Sequence, residues 1–152
     1  MGTLLCRRCL EQLRPPSSPA DRFVAPDSGT VIGDRLLLAM AAHRHEGPMR
    51  RALATMKYAG ASRLGRELGR TAVPTLVRLA AVTGPATLVP VPVHPERLRA
   101  RGYNQATLVA RELSRLARLP LRDVLVRVRP TTKQHRLNRS ARLANLRGAF
   151  AV

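Results

Sequence analysis

The order of short apolar runs and helical patterns constrains the fold of this chain more than any other sequence feature. Residues 88–92 (LVPVP) form an apolar run that predicts a buried strand, and residues 123–128 alternate as a second strand. Between them, residues 105–119 carry apolar side chains at helical spacing, and Asn104 precedes them as a candidate N-cap. Strands separated by a helix are typical of parallel βαβ units. The sequence therefore predicts an α/β fold with a parallel sheet flanked by helices.

The residues before this unit predict one further strand and two or more helices. Residues 35–43 (RLLLAMAAH) are continuously apolar, which favours a buried strand. A helix over residues 49–60 would end at Gly60. Its predicted inward face consists of Met49, Ala52, Leu53 and Met56.

A second helix is predicted to follow directly, with Ser62 as its N-cap. Leu64 and Leu68 would face the core. Pro74 either kinks this helix or begins the next one, and Gly84 with the proline after it ends the pattern. For the helix after Asn104, the predicted apolar stripe is Ala106, Val109, Ala110, Leu113 and Leu116.

The domain organisation follows from length and local composition. A chain of 152 residues fits one domain. Residues 1–14 carry both cysteines, residues 15–30 are a linker rich in Pro, Ser and Asp, and residues 31–152 form the main domain. The chain has neither a run of 18 apolar residues nor an N-terminal apolar segment of signal-peptide length, so we expect a cytoplasmic protein without a membrane span.

The charge of the chain points to an anionic partner. The net charge is +18, and 25 of the 27 basic residues are arginine. Residues 94–147 hold 13 Arg and one Lys against three carboxylates, which leaves a local charge of +11. Such a field attracts nucleic acid or phosphorylated metabolites. A GC-rich coding background, which replaces Lys with Arg throughout a chain, is the alternative explanation for part of this charge.

The segment VPVHPERLRARGYNQ is the first candidate site. A strand that ends in Pro and leads through a loop to a helix N-terminus is where α/β sheets place anionic ligands. Guanidinium groups bind phosphate through two parallel hydrogen bonds. The alternative is a solvated loop whose arginines only increase the solubility of the protein. The candidate anion-binding residues are Arg97, Arg99, Arg101, Gly102 and Asn104.

The segment RVRPTTKQHRLNRSARLANLRGAF (residues 127–150) is the second candidate. Residues 129–142 show no apolar period, so we predict a polar loop there. A mobile cationic loop can close over a polyanion and stabilise charge on a leaving pyrophosphate. An ordinary exposed loop or a weak nucleic-acid patch is the alternative. The cationic residues of this segment are Arg127, Arg129, Lys133, Arg136, Arg139 and Arg142.

The two cysteines are spaced Cys6-x-x-Cys9, which is half of a tetrahedral zinc site. The chain has no further cysteine, so the pair predicts either a partial Zn²⁺ site or two reduced thiols. The sequence also lacks a P-loop, a GxGxxG fingerprint and any pair of adjacent carboxylates. Metal-dependent hydrolysis is therefore poorly supported.

At residues 52–60, 88–113 and 127–150 the chain resembles the ComF family, also called the competence-protein or amidophosphoribosyltransferase-like family. The resemblance implies a type I phosphoribosyltransferase fold and a site for phosphoribosyl pyrophosphate with Mg²⁺. Residues 91–102 would form the pyrophosphate side of that site. The mobile loop that covers it would include Arg127, Arg129, Lys133, Gln134, Arg142 and Asn145.

The resemblance also implies a transferase (glycosyltransferase) class and a link to competence and DNA uptake beside a helicase-like partner. Family members usually carry a first CxxC pair near the N-terminus. After GAF they continue into a strand, two acidic residues and a Thr-Thr-Gly loop that holds the ribose and the 5′-phosphate. The present sequence shows neither feature, so we expect a copy truncated at both ends with impaired catalysis. Two other hypotheses stay open: a basic single-stranded-DNA-binding or adaptor module of DNA uptake, and a poorly folding remnant.

Overall fold

The computed structural model describes residues 4–15, 39–84, 86–131 and 138–152. Within these ranges the chain is a mixture of helices with a small sheet, which agrees with the α/β class. The elements are α1 (Arg7–Glu11), α2 (Gly47–Tyr58), α3 (Leu64–Thr83), α4 (Pro95–Arg101), α5 (Gln105–Ala117), β1 (Val126–Arg127), α6 (Arg139–Leu146) and β2 (Phe150–Ala151). No helix in the described ranges is both long and apolar enough to cross a bilayer.

Helix α2 confirms the helix predicted over residues 49–60. It buries Met49, Ala52 and Met56, which recur at the spacing of one helical face. The helix ends at Tyr58, and Gly60 follows two residues later with φ +70°. Glycine adopts this left-handed conformation without steric cost, so Gly60 turns the chain directly after the helix, but the C-cap is Ala59 rather than the predicted Gly60.

Helix α3 is one continuous helix from Leu64 to Thr83 with Pro74 inside it, so of the two alternatives for Pro74 the start of a new helix is wrong. Leu64 and Leu68 are buried, as predicted. The prediction of Ser62 as the N-cap is also wrong, because the helix begins one residue later and Arg63 occupies that position without a side-chain cap. A tight turn serves instead: the N–H of Gly65 donates to the Ser62 carbonyl at 3.0 Å.

The apolar core lies where α2 and α3 meet the N-terminal segment. It consists of Leu5, Met49, Ala52, Met56, Leu64 and Leu68. The Glu67 carboxylate accepts the backbone N–H groups of Leu4 and Leu5 at 2.7 and 2.8 Å. This contact joins residues more than 60 positions apart and attaches the N-terminal segment to α3. The described part of residues 1–14 therefore packs into the same core as α2 and α3.

Helices α3 and α5 pack at very short range through two glycines. A Cβ atom at Gly65 would lie 2.5 Å from Leu108 Cβ, and one at Gly69 would lie 2.8 Å from Glu112 Cβ. The two glycines are four residues apart and therefore share one face of α3. Because side chains at either position would separate the helices, the glycines set the distance between them.

Helix α5 begins as predicted. The Asn104 side-chain oxygen accepts the N–H of Ala106 at 3.0 Å, which confirms the N-cap. The predicted apolar stripe holds only in part, since Ala110 is buried but Leu116 is 39% exposed. Glu112 is buried instead, because Arg70 and Arg115 both donate to its carboxylate.

The predicted parallel sheet is reduced to one bridge in the described residues. Leu88 pairs with Leu121 in parallel, but residues 88–92 form no regular strand. Pro90 and Pro92 have no N–H to donate, which explains why the pairing stops there. The predicted strand at residues 123–128 is only β1, and it pairs antiparallel with β2. Of the strand predicted at residues 35–43, positions 35–38 lie outside the described residues and 39–43 contain no strand.

Helix α6 corrects the polar loop predicted for residues 129–142. Asn138 accepts the N–H of Ala141 at 2.9 Å and so caps the first turn. At the other end, the Arg129 guanidinium donates to the carbonyls of Asn145 at 3.1 Å and Arg147 at 2.5 Å. A helix of eight residues shows little periodicity, and side chains at both ends stabilise it. Residues 132–137 of the predicted loop lie outside the described residues.

A cationic cleft as the candidate anion-binding site

An open cleft of about 630 Å³ lies where the end of α2 faces α4, the start of α5 and β1. Four cationic residues line it: Lys57, Arg97, Arg101 and Arg127. The remaining lining residues are Tyr58, Gly60, Val91, Pro92, Val93, Ala100, Gln105 and Ala106. None of the described residues that line the cleft is acidic. The cleft therefore presents a formal charge of +4 to a ligand.

Thr131 joins two of these cations. Its backbone carbonyl accepts from Arg97 Nη2 at 3.1 Å, and its hydroxyl oxygen accepts from Arg127 Nη2. The Arg127 guanidinium also lies 5.4 Å from the ring centroid of Phe150, within the range of a cation–π interaction. Residues from α4, β1 and the segment after β1 thus hold two guanidinium groups close together.

The pKa of Arg127 shows that this arrangement is electrostatically unfavourable. Burial lowers the pKa of Arg127 most, and the positive charges of Arg97 and Arg129 lower it further. Its Nε is buried without a hydrogen-bond partner in the described residues. Like charges held together without a counter-charge repel each other, so a bound anion would stabilise this group of arginines.

Arg101 occupies the last turn of α4 and donates to the side-chain oxygen of Gln105 at the first turn of α5. None of the four cations makes an ion pair with a carboxylate of the described residues. The three guanidinium groups satisfy part of their hydrogen-bonding capacity with the neutral oxygens of Thr131 and Gln105. The cations therefore keep their charge available for a ligand.

Two curated proteins show significant similarity to the chain. Competence protein F of Haemophilus influenzae is 39% identical over 69 residues, which cover 45% of the chain and 30% of that protein. DNA utilization protein YhgH of Escherichia coli O157:H7 is 28% identical over 153 aligned residues, which cover 98% of the chain and 59% of that protein. Both relatives support the resemblance of the chain to the ComF family.

The matches to these ComF relatives span less than two thirds of the length of either one. No family model and no solved structure matches the chain. The resemblance found in the sequence is thus confirmed at the level of the family, while the phosphoribosyltransferase fold stays a prediction.

The residues predicted on the pyrophosphate side of a ComF site divide into two groups. Arg97 and Arg101 line the cleft, whereas Arg99 is exposed and lies outside its lining. Gly102 ends α4 with φ +81°. Asn104 caps α5 and donates from Nδ2 to the Val91 carbonyl at 3.0 Å. Gly102 and Asn104 line a neighbouring cavity of about 460 Å³ rather than the cleft, and both have structural roles.

The predicted mobile-loop residues are also distributed over several elements. Arg127 lies in β1, because its strand pairs with β2, and so it is part of the cleft wall rather than of a loop. Arg129 and Asn145 meet at the C-terminal end of α6, where the Arg129 guanidinium binds the Asn145 carbonyl. Arg142 lies in α6, and its side chain is outside the described part of the structure. Lys133 and Gln134 are among the residues outside the described ranges.

Sequence reasoning missed Lys57, Tyr58, Gln105 and Thr131. Lys57 and Tyr58 come at the end of a predicted helix that is more than 30 residues before the arginine-rich segment. No local spacing links these positions, and only the packing of α2 against the start of α5 brings them together. Gln105 alone had a local signal, since it directly follows the N-cap of α5.

The cysteine pair lies at the start of α1, where Cys6 is the N-cap. Cys6 accepts the N–H of Cys9 at 3.4 Å, and this N–H is the main reason why the pKa of Cys6 is lowered. The pKa of Cys9 is raised, first by its hydrogen bond with Cys6 and then by burial. No group of three or more His, Cys, Asp or Glu residues that could hold a metal occurs among the described residues. A Zn²⁺ site at Cys6 and Cys9 stays a prediction.

Proposed function

We propose that this ComF-like protein acts in competence or DNA utilization and that its cationic cleft binds the pyrophosphate group of phosphoribosyl pyrophosphate. The names of the two relatives, Competence protein F and DNA utilization protein YhgH, support the first part. The observation that carries the second part is the group of four cations that line one cleft, with no acidic side chain among the lining residues that the structure describes. Guanidinium groups at different angles can bind several oxygens of one pyrophosphate.

The arrangement of Arg97 and Arg127 supports an anion of more than one charge. Thr131 holds both guanidinium groups by neutral oxygens, and the charge of Arg97 disfavours the protonated form of Arg127. A pyrophosphate would relieve this repulsion. During phosphoribosyl transfer the same cations would stabilise the negative charge that develops on the leaving pyrophosphate.

Mg²⁺ fits this site only together with its ligand. Within the described ranges, the lining of the cleft includes no carboxylate, the ligand type that commonly binds Mg²⁺ in proteins. Pyrophosphate oxygens, with Gln105 nearby, would therefore hold the ion. When bound, Mg²⁺ would supply further positive charge at the pyrophosphate.

Isothermal titration calorimetry with inorganic pyrophosphate and with phosphoribosyl pyrophosphate, each with and without Mg²⁺, tests the proposal. We expect Arg97→Ala and Arg101→Ala to weaken binding by at least about tenfold, since a hydrogen bond to a charged group contributes roughly 1.5–3 kcal/mol. Arg99→Ala is the matched control, because it removes the same charge from the exposed side of the same helix. It should change the affinity less than twofold.

Two results would contradict the pyrophosphate site. One is an equal loss of affinity in the Arg97 and Arg99 variants, which would show that only overall charge matters. The other is the absence of binding to the folded wild-type chain. Release of pyrophosphate from phosphoribosyl pyrophosphate, followed on the same variants, would separate transfer from binding.

Single-stranded DNA is a second candidate ligand, because exposed arginines continue beyond the cleft. Arg99, Arg111, Arg118 and Arg122 are all exposed along α4, α5 and the segment that follows. Binding through phosphate contacts weakens steeply with salt, so the slope of log affinity against log salt counts the contacts. Competition by pyrophosphate would show that DNA enters the same cleft, and no competition would place the DNA on the outer arginines.

A further inference from the structure

Tyr58 is an exposed aromatic side chain at the edge of the cationic cleft. It lines the cleft, yet 73% of its surface is exposed. The other two aromatic residues in the described ranges have partners. Tyr103 donates its hydroxyl to the Met56 carbonyl at 2.5 Å, and Phe150 lies against the Arg127 guanidinium. Neither the core nor a hydrogen bond therefore accounts for an aromatic residue at Tyr58.

The end of α2 holds Tyr58 in this position. Met56 lies two residues earlier and is fully buried. Since residues two apart on a helix point to nearly opposite sides, burial of Met56 turns Tyr58 away from the core. The Ala59 N–H donates to the Thr55 carbonyl at 2.9 Å, which closes the last turn of the helix. The aromatic ring is thus attached to a rigid part of the backbone.

The cleft offers different chemistry at its two sides. Arg97, Arg101 and Arg127 provide positive charge for phosphate groups. The C-terminal end of α2, beside Tyr58, carries exposed carbonyl dipoles and the single cation Lys57, so it offers less positive charge to an anion than the arginine side does. An uncharged flat group suits that position better, because an aromatic ring offers a π face for stacking. The ligand that satisfies both sides carries phosphate at one end and a planar ring at the other.

We propose that Tyr58 stacks on a nucleobase, so that the cleft accepts a nucleobase-bearing phosphate rather than a bare sugar phosphate. The ligand is either a free nucleotide or one nucleotide unit of single-stranded DNA, which share this chemistry. The proposal rests on the proposed anion site for its phosphate contacts. Stacking of a base on an aromatic side chain is sequence-tolerant, so we expect little preference among bases.

Binding of three ligands to three proteins tests the stacking. The ligands are inorganic pyrophosphate, adenosine diphosphate and a short oligodeoxyadenylate, and the proteins are the wild-type chain, Tyr58→Phe and Tyr58→Leu. We expect Tyr58→Leu to weaken adenosine diphosphate binding about tenfold, within the usual range for loss of a stacked base. Pyrophosphate affinity should change less than twofold, and Tyr58→Phe should keep the wild-type affinity for all three ligands.

Tyrosine fluorescence provides a second readout. The chain has two tyrosines and no tryptophan, so emission comes only from Tyr58 and Tyr103. Adenosine diphosphate should quench part of the wild-type emission. In the Tyr58→Leu protein only Tyr103 remains, and we expect no saturable quenching there. Because Tyr58 is exposed, this variant should fold like the wild type, which circular dichroism checks.

The outcomes separate this proposal from the pyrophosphate site. Equal weakening of pyrophosphate and adenosine diphosphate by Tyr58→Leu would overturn stacking, as would unchanged affinity for both nucleobase ligands. Quenching by unphosphorylated adenosine without any pyrophosphate binding would support stacking and overturn the anion site. If only the oligonucleotide shows the dependence on Tyr58, the stacking proposal holds with DNA as the source of the base.

Discussion

Replacement of Gly65 by alanine tests the close packing of α3 against α5. The new Cβ would lie 2.5 Å from Leu108 Cβ, 3.3 Å from Met56 Cε and 3.4 Å from the Leu108 carbonyl carbon. Carbon atoms in contact normally lie about 3.5–4.0 Å apart. The flexible end of Met56 can move, but Leu108 Cβ is attached directly to the α5 backbone. The two helices must therefore separate by roughly 1 Å, judged from the normal contact distance.

Two effects of opposite sign decide the change in the free energy of unfolding. Overpacking in a well-packed core costs about 1–3 kcal/mol. Alanine in place of glycine within a helix contributes about 1 kcal/mol in the stabilising direction. Because the contact at Gly65 is with a fixed atom, we expect the cost to be near the upper end. The net loss would be about 1–2 kcal/mol, which lowers Tm by about 2–8 °C in a chain of this size.

Urea unfolding followed by circular dichroism at 222 nm measures this change. Arg66 is the next residue on α3 and is exposed, so the pair Arg66→Gly and Arg66→Ala measures the local preference for alanine over glycine without a packing term. Subtracting that preference isolates the steric cost at Gly65. A Gly65→Ala protein as stable as the wild type, or more stable, would refute the packing of α3 on α5.

Three further predictions concern groups buried or capped by tertiary contacts. The pKa of Glu112 is lowered to about 2, chiefly by hydrogen bonds from Arg115 and then Arg70. The ionised carboxylate therefore stabilises the fold above about pH 4.5, and this stabilisation is lost as the pH falls toward 2. Because both arginines are half-exposed, we expect Glu112→Gln to lower the free energy of unfolding by only about 1–2 kcal/mol at pH 7. A difference in unfolding free energy between the variant and the wild type that stays the same down to pH 2 would contradict this. Asn104→Ala should lower stability by about 1 kcal/mol but change pyrophosphate affinity less than twofold, whereas Asn104→Asp, which keeps the cap acceptor, should lose less stability. Arg129→Met should expose the C-terminal end of α6 and reduce the protection of its amides from hydrogen exchange; unchanged protection would show that this cap is dispensable.

Local sequence patterns were sufficient for helices α2 and α5. The buried face of α2 at Met49, Ala52 and Met56 and the cap of α5 at Asn104 follow from interactions within about four residues. Such interactions are encoded in the order of neighbouring side chains, so they can be read without a fold. The family resemblance, which the two relatives confirm, also came from motifs of consecutive residues.

The strands were less predictable because pairing needs a partner. An apolar run at residues 88–92 resembles a buried strand, but it has prolines at positions where a sheet needs N–H donors, and it forms one bridge. Residues 123–128 alternate well, yet only two of them pair, and they pair with the distant Phe150 and Ala151. Helix α6 was missed for a similar reason: Arg129, ten positions before its start, binds its last carbonyls.

The cleft shows the same division. The sequence alone determined that arginines would be concentrated near the end of the apolar run, and it predicted Arg97, Arg99 and Arg101 among the anion-binding residues. Tertiary structure decided which residues line the cleft: Lys57 and Arg127 lie there with Arg97 and Arg101, Arg99 lies outside the lining, and Tyr58 lies at the edge of the cleft. Side-chain spacing along a helix is a local property, whereas the distance between two elements depends on packing, such as the contact of Gly65 with Leu108. The sequence therefore shows which residues are charged, but the residues that lie beside them in the fold depend on packing, such as that of α3 against α5.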